Sequence, residues 1–168
     1  MDGDILAVDI AVKRDGYHGD MNVTMVAGTA SPEALRLVET TRHAMDLGIQ
    51  AGVAGNRLGD IGHAIQSYVE SAGYTIVREY CGHGIGRDFH EEPQVLHYGR
   101  PGTGQRLQNG MVFTVEPMVN QGDAGVRELD DRWTAVTLDG SLSAQFEHTM
   151  TVTPQGPRVL SRFDDLPF

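Results

Sequence analysis

The sequence predicts an α+β domain in which two helices cover one face of a largely antiparallel sheet. Three observations predict it. Strand-like apolar runs lie near both ends of the chain, an Asp15-Gly16 pair joins two such runs at the start, and two helical patterns fill the stretch between them. The 168 residues amount to one domain, read here as 1–168, and 40% hydrophobic content gives it a core without disulfides or structural metals.

The elements follow in order. Ile5 to Val12 reads as a strand, and Asp15-Gly16 is a strong two-residue hairpin signal. Such a loop pairs Arg14 with Tyr17, which sets Ala11 against Asp20 and Asp9 against Asn22. Faces alternate along each strand. Ile5, Ala7, Asp9 and Ala11 therefore share a face with His18, Asp20, Asn22 and Thr24, and the opposite face is apolar. Ser31-Pro32 reads as N-cap and first helical position. Ala34, Val38, Thr41 and Met45 recur at helical spacing behind it, and Gly52 and Gly55 close that helix. A second helix carries Leu58, Ile61, Ile65 and Val69 and stops at Gly73. Strands are then predicted over 74–79, 111–119 and 135–138, with a long one from Ser141 to Thr153.

Composition excludes several functions. Thirteen basic against 23 acidic residues give a net charge of −10, the wrong sign for a nucleic-acid partner or an anionic membrane surface. No apolar run approaches the 18 or so residues of a membrane span, and the opening residues do not read as a secretory signal. A single cysteine, Cys81, forms no intrachain disulfide. The expected setting is a reducing, cytoplasmic one.

The chemistry resides in scattered acidic residues. In the predicted register Asp9 and Asp20 are diagonal neighbours on one face, roughly 7–8 Å apart at the backbone. Cys81-Gly82-His83-Gly84-Ile85-Gly86 brackets a histidine with glycines, and His90 follows seven residues later. His90-Glu91 opens like a zinc-protease motif, but position 94 is Gln, and the glycine run lacks the helix and Lys-Ser/Thr of a phosphate loop. Glu116 interrupts an apolar strand, and Glu147 is the one charge on the polar face of the last strand. A buried carboxylate without a partner costs several kcal/mol or takes up a proton. Four carboxylates and one imidazole gathered in one place are balanced by two divalent cations. Such ligands suit Mn, Fe, Co or Zn, and a pair of ions with a bridging hydroxide supports hydrolysis.

The order Asp9, Asp20, His83, Glu116, Glu147 resembles that of type I methionine aminopeptidases, which remove initiator methionine. The likeness is carried by Asp15-Gly16-Tyr17-His18-Gly19-Asp20, Tyr80-Cys81-Gly82-His83-Gly84-Ile85-Gly86, Phe89-His90-Glu91-Glu92-Pro93, Phe113-Thr114-Val115-Glu116-Pro117-Met118 and Gln145-Phe146-Glu147-His148-Thr149. Prolidase and aminopeptidase P share the ligand order but lack the Gln-Phe-Glu-His-Thr ending. The resemblance implies the pita-bread fold, a curved antiparallel sheet in pseudo-twofold halves. It implies that Asp9 chelates one metal, that Asp20 and Glu147 bridge both, and that His83 and Glu116 complete the other. By the same resemblance Glu116 would also take a proton from the attacking water, His90 would hydrogen-bond substrate near the scissile amide, and Phe89 and Trp133 would line the methionine pocket. The implied partners are nascent polypeptide N-termini, met at the ribosome, and the implied full-length state is a monomer.

The family's domain begins upstream of Met1 with further strands, part of the pocket and another catalytic histidine. The chain is therefore expected to be the C-terminal major part of such a domain, with the N-terminal part missing, and to be poorly active alone. Two other readings are an X-Pro hydrolase on the same scaffold and a metal-free binding module.

Overall fold

A computed structural model describes residues 1–162. The opening hairpin forms in the register that its turn dictates. Strands β1 (Ile5–Arg14) and β2 (Tyr17–Val26) pair antiparallel, with Arg14 opposite Tyr17, Ala11 opposite Asp20 and Asp9 opposite Asn22. Asp15 and Gly16 both take positive φ, 52° and 82°, as a type I′ turn requires.

Helix α1 (Pro32–Ala51) starts where Ser31 Oγ accepts the Ala34 amide at 3.2 Å, and Gly52 ends it. Helix α2 (Leu58–Ser71) follows, and the Arg57 amide donates to Asp60 Oδ2 at its first turn. The later strands are β3 (Thr75–Ile76), β4 (Gly82–Gly84), β5 (Glu91–Val95), β6 (Val112–Val115), β7 (Met118–Asn120), β8 (Val126–Glu128), β9 (Ala135–Thr137), β10 (Ser143–Gln145), β11 (Glu147–Thr153) and β12 (Gly156–Val159). The main sheet has the order β1-β2-β11-β6-β4-β5, with β12 also paired to β11; β10-β7-β3 and β8-β9 form two smaller sheets. Among the described residues, the strands of these sheets pair antiparallel throughout.

The structure divides two strands expected to be continuous. Residues 111–119 break at Glu116-Pro117, so that β6 lies in the main sheet and β7 in the three-stranded one. Pro117 has no N–H to give a ladder. Residues 141–153 break at Phe146, with β10 and β11 likewise in different sheets. The glycine-bracketed histidine, His83, lies on β4.

The main sheet separates its chemistry by face. Met21 and Val23, Phe113 and Val115, and Met150 and Val152 join Leu37, Ala44, Ile49, Ile61, Ile65 and Val69 of the helices in one buried cluster. Each Val, Leu, Ile, Phe or Met side chain among them contributes about 1.5–3 kcal/mol on burial. The opposite parity on the same strands carries Asp20, Asn22, Thr114, Glu147 and Thr149, also buried. Strand β1 is the outermost of the main sheet, and its apolar side chains Leu6, Ile10 and Val12 are exposed. Among the described residues, no helix is long and apolar enough to cross a membrane.

Candidate metal centre

Three strands and the hairpin deliver the acidic residues to one place. Asp20 comes from β2, His83 from β4 and Glu147 from the first position of β11, and one ligand atom from each lies within 4.8 Å of the other two. His83 Nε2 stands 3.7 Å from Asp20 Oδ2 and 3.7 Å from Glu116 Oε1. Asp9 is exposed on β1, at the rim, where Asn22 Nδ2 donates to its Oδ2 at 3.2 Å. Its charge still reaches the cluster, since it helps to raise the pKa of Asp20, Glu116 and Glu147.

The backbone around His83 explains the flanking glycines. A Cβ on Gly82 would lie 2.5 Å from the Thr114 carbonyl oxygen, and one on Gly84 only 2.2 Å from that of Glu92. Glycine lets β4 sit against its neighbours at this range. The Gly84 carbonyl lies 3.0 Å from His83 Nδ1 and accepts its proton. The Nε2 lone pair is then free to face the carboxylates, the orientation that a ligating imidazole needs. Burial lowers the His83 pKa, which favours that neutral form.

The carboxylates are held but not neutralised. Thr114 Oγ1 donates to Glu116 Oε1 at 2.6 Å and accepts the His83 amide at 3.0 Å. Thr149 Oγ1 accepts the Asp20 amide and donates to the Asp20 carbonyl. Glu147 Oε1 is buried without any hydrogen-bond partner. No Lys or Arg among the described residues forms an ion pair with these groups. Burial, with the charge of Asp9, pushes Asp20 up to about 6. Burial first, and then the neighbouring carboxylates, pushes Glu116 and Glu147 far above the usual range. A site that orphans a carboxylate oxygen and gathers acids around an imidazole lone pair fits divalent cations.

Aromatic groups flank it. The His90 ring lies 4.3 Å from that of His83, and Phe89 packs 5.6 Å from His83 and 4.5 Å from His90. Trp133 does not join them: it lies 88% exposed in the turn between β8 and β9. The sequence reading placed Asn22 on the polar face without a role, and gave none to Thr114 or His97. Thr114 was detectable, because it stands two positions before Glu116 and so on the same strand face. His97, wholly buried with its Nε2 accepting the Glu116 amide at 3.1 Å, carried no local signal.

Residues 1–154 match the model of metallopeptidase family M24. Methionine aminopeptidase A of Synechocystis sp. is 52% identical over 95% of this chain and 63% of its own length. Methionine aminopeptidase 1 of Bacillus subtilis is 48% identical over 96% of this chain and 65% of its own. The crystal structure of methionine aminopeptidase from Rickettsia prowazekii superposes with a TM-score of 0.94 at 48% identity, covering 96% of this chain and 65% of that one. The chain thus spans less than two thirds of the length of these relatives.

Proposed function

The chain belongs to metallopeptidase family M24, and from that premise we propose that it forms the metal-binding part of a methionine aminopeptidase that removes the initiator methionine from nascent polypeptides. The fold is the antiparallel pita-bread arrangement that the resemblance implied. The observation that carries the proposal is the convergence of Asp20, Glu116 and Glu147 on the free Nε2 of His83, with no Lys or Arg among the described residues paired to them.

Asp9, Asp20, His83, Glu116 and Glu147 would hold two divalent ions, from among Mn, Fe, Co and Zn. When bound, such ions supply Lewis acidity and lower the pKa of water. The remaining work belongs to side chains. Glu116, with its raised pKa and its Oε1 fixed by Thr114, accepts a proton from the attacking water and returns it to the leaving amine. The C–N bond of the first peptide link breaks as water adds across it. His90, edge-on to the His83 ring, donates a hydrogen bond beside the scissile amide. Phe89 offers an apolar wall to the methionine side chain, and Trp133 stands further out on the β8–β9 turn.

In this reading the full-length protein is a cytoplasmic monomer that meets its substrates as they emerge from the ribosome. The test compares hydrolysis of Met-Ala-Ser and Gly-Pro peptides by a chain extended to the relatives' length and loaded with Mn²⁺. Preference for Met-Ala-Ser supports the proposal. Preference for Gly-Pro replaces it with an X-Pro hydrolase, and no hydrolysis of either removes it.

A further inference from the structure

Glu116 sits at an awkward point of the chain. It follows the last residue of β6, and β6 pairs with β11 no further than Val115 opposite His148. The next residue, Pro117, has no N–H, and β7 then belongs to another sheet. The Glu116 amide is therefore left out of both ladders while buried with its residue. An unpaired buried N–H costs about 1–3 kcal/mol. Its partner comes from elsewhere in the fold: His97 Nε2 accepts it at 3.1 Å.

The imidazole is itself firmly placed. His97 is 1% exposed, two residues past β5, and the chain there runs along α2 so closely that a Cβ on Gly62 would lie 2.4 Å from the Tyr98 carbonyl oxygen and 2.8 Å from that of Leu96. Gln66, one turn further along α2, accepts the Gly99 amide at 3.1 Å. Accepting at Nε2 requires the lone pair there, so the ring proton resides on Nδ1, which has no partner of its own. That orphaned donor argues against simple packing, for which an apolar residue of similar size would serve without leaving a buried N–H unpaired.

We propose that His97 is a positioning residue for the metal centre: as the Nδ1–H tautomer it anchors the backbone of Glu116 where the chain changes sheets, and so fixes the Glu116 carboxylate beside His83 and Asp20. The inference rests on the reading of that cluster as a divalent-cation site. It adds a group that touches neither ion nor substrate, and it makes α2 the support of one ligand.

Two substitutions separate this role from packing. The carboxamide oxygen of His97→Gln can take the place of Nε2, whereas that of His97→Asn corresponds to Nδ1 and falls short of the Glu116 amide. Titration of each chain with Mn²⁺, followed by calorimetry, and amide hydrogen exchange at Glu116 are the readouts. The Gln variant should bind Mn²⁺ within about threefold of the parent and keep Glu116 protected. The Asn variant should bind about tenfold or more weakly, as loss of one buried hydrogen bond implies, and should exchange the Glu116 amide faster by a similar factor. Equal behaviour of the two variants in both readouts would overturn the role of His97 and leave the metal centre standing. Failure of the parent chain to bind Mn²⁺ would overturn the metal centre, and this role with it.

Discussion

Thr149 clasps Asp20 from the neighbouring strand with a single hydroxyl. Its Oγ1 accepts the Asp20 amide at 3.1 Å and donates to the Asp20 carbonyl at 2.8 Å, so both backbone groups of the residue are bound by one atom of β11. This clasp lies just past the last paired residues of β2 and β11, Met21 and His148, and it holds a carboxylate that the fold otherwise repels.

Replacing Thr149 with Val keeps the shape and removes the hydroxyl. Two buried backbone groups then lose their partner, and the chain should be destabilised by about 2–4 kcal/mol in urea unfolding. Mn²⁺ affinity should fall as well, because Asp20 is no longer held. An unchanged unfolding midpoint would show that the clasp contributes nothing.

The glycines beside His83 predict a steric result. Gly84→Ala would set a Cβ 2.2 Å from the Glu92 carbonyl oxygen, backbone that has no rotamer to yield. A loss of about 1–3 kcal/mol is expected, with displacement of β4 and weaker metal binding. Thermal unfolding of the variant with and without Mn²⁺ measures both effects, and a variant as stable as its parent would contradict the packing described.

Of the fold, the hairpin was the most legible element, since Asp15-Gly16 dictates one register and that register places Asp9 and Asp20 diagonally on one face. The two helices were equally plain from Ser31-Pro32, Gly52 and their apolar spacing. The sheet changes at Glu116-Pro117 and Phe146 were not legible. Side-chain alternation reports which way a residue faces, and not which strand lies beside it, so one continuous pattern concealed two strands. Glu116 and Glu147 both lie next to these breaks. For the site, the acidic residues stood out because a charge in an apolar or polar-neutral strand is costly without a cause. Thr149 and His97 act through contacts with |i−j| of 129 and 19, and no local pattern encodes such pairings. Trp133, expected to line a pocket, is exposed on a turn.

The raised pKa values predict how stability depends on pH without metal. Asp20, Glu116 and Glu147 titrate higher folded than unfolded, so above about pH 4 the folded chain holds protons that the unfolded chain has released. Their contribution is present below the ordinary carboxylate range and is lost as pH rises through the folded values, past 6 for Asp20. These three groups should therefore cost the metal-free chain stability between pH 4 and 8, offset in part by buried His97, whose pKa burial pushes down to about 3, and Mn²⁺ should restore the loss while releasing protons. Unfolding curves across that range, and calorimetry in buffers of different ionisation enthalpy, check both statements. Stability that rises steadily with pH in the absence of metal would contradict them.

Glu147→Gln should separate stability from metal binding. The amide carries no charge into a pocket where Glu147 Oε1 has no partner and three other acids lie nearby. The metal-free variant should match or exceed its parent in melting temperature at pH 8, yet lose the stabilisation that Mn²⁺ gives. A variant that is still stabilised by Mn²⁺ to the parent's extent would remove Glu147 from the ligand set.

Anomalous scattering at the manganese edge, from crystals of the chain grown with Mn²⁺, bears most directly on the centre itself. Two peaks are predicted between the hairpin aspartates and β4, each in contact with Asp20 and Glu147, and Asp20→Asn should abolish the pair. A map with no peak there, or one whose peaks persist in that variant, would contradict a two-cation site.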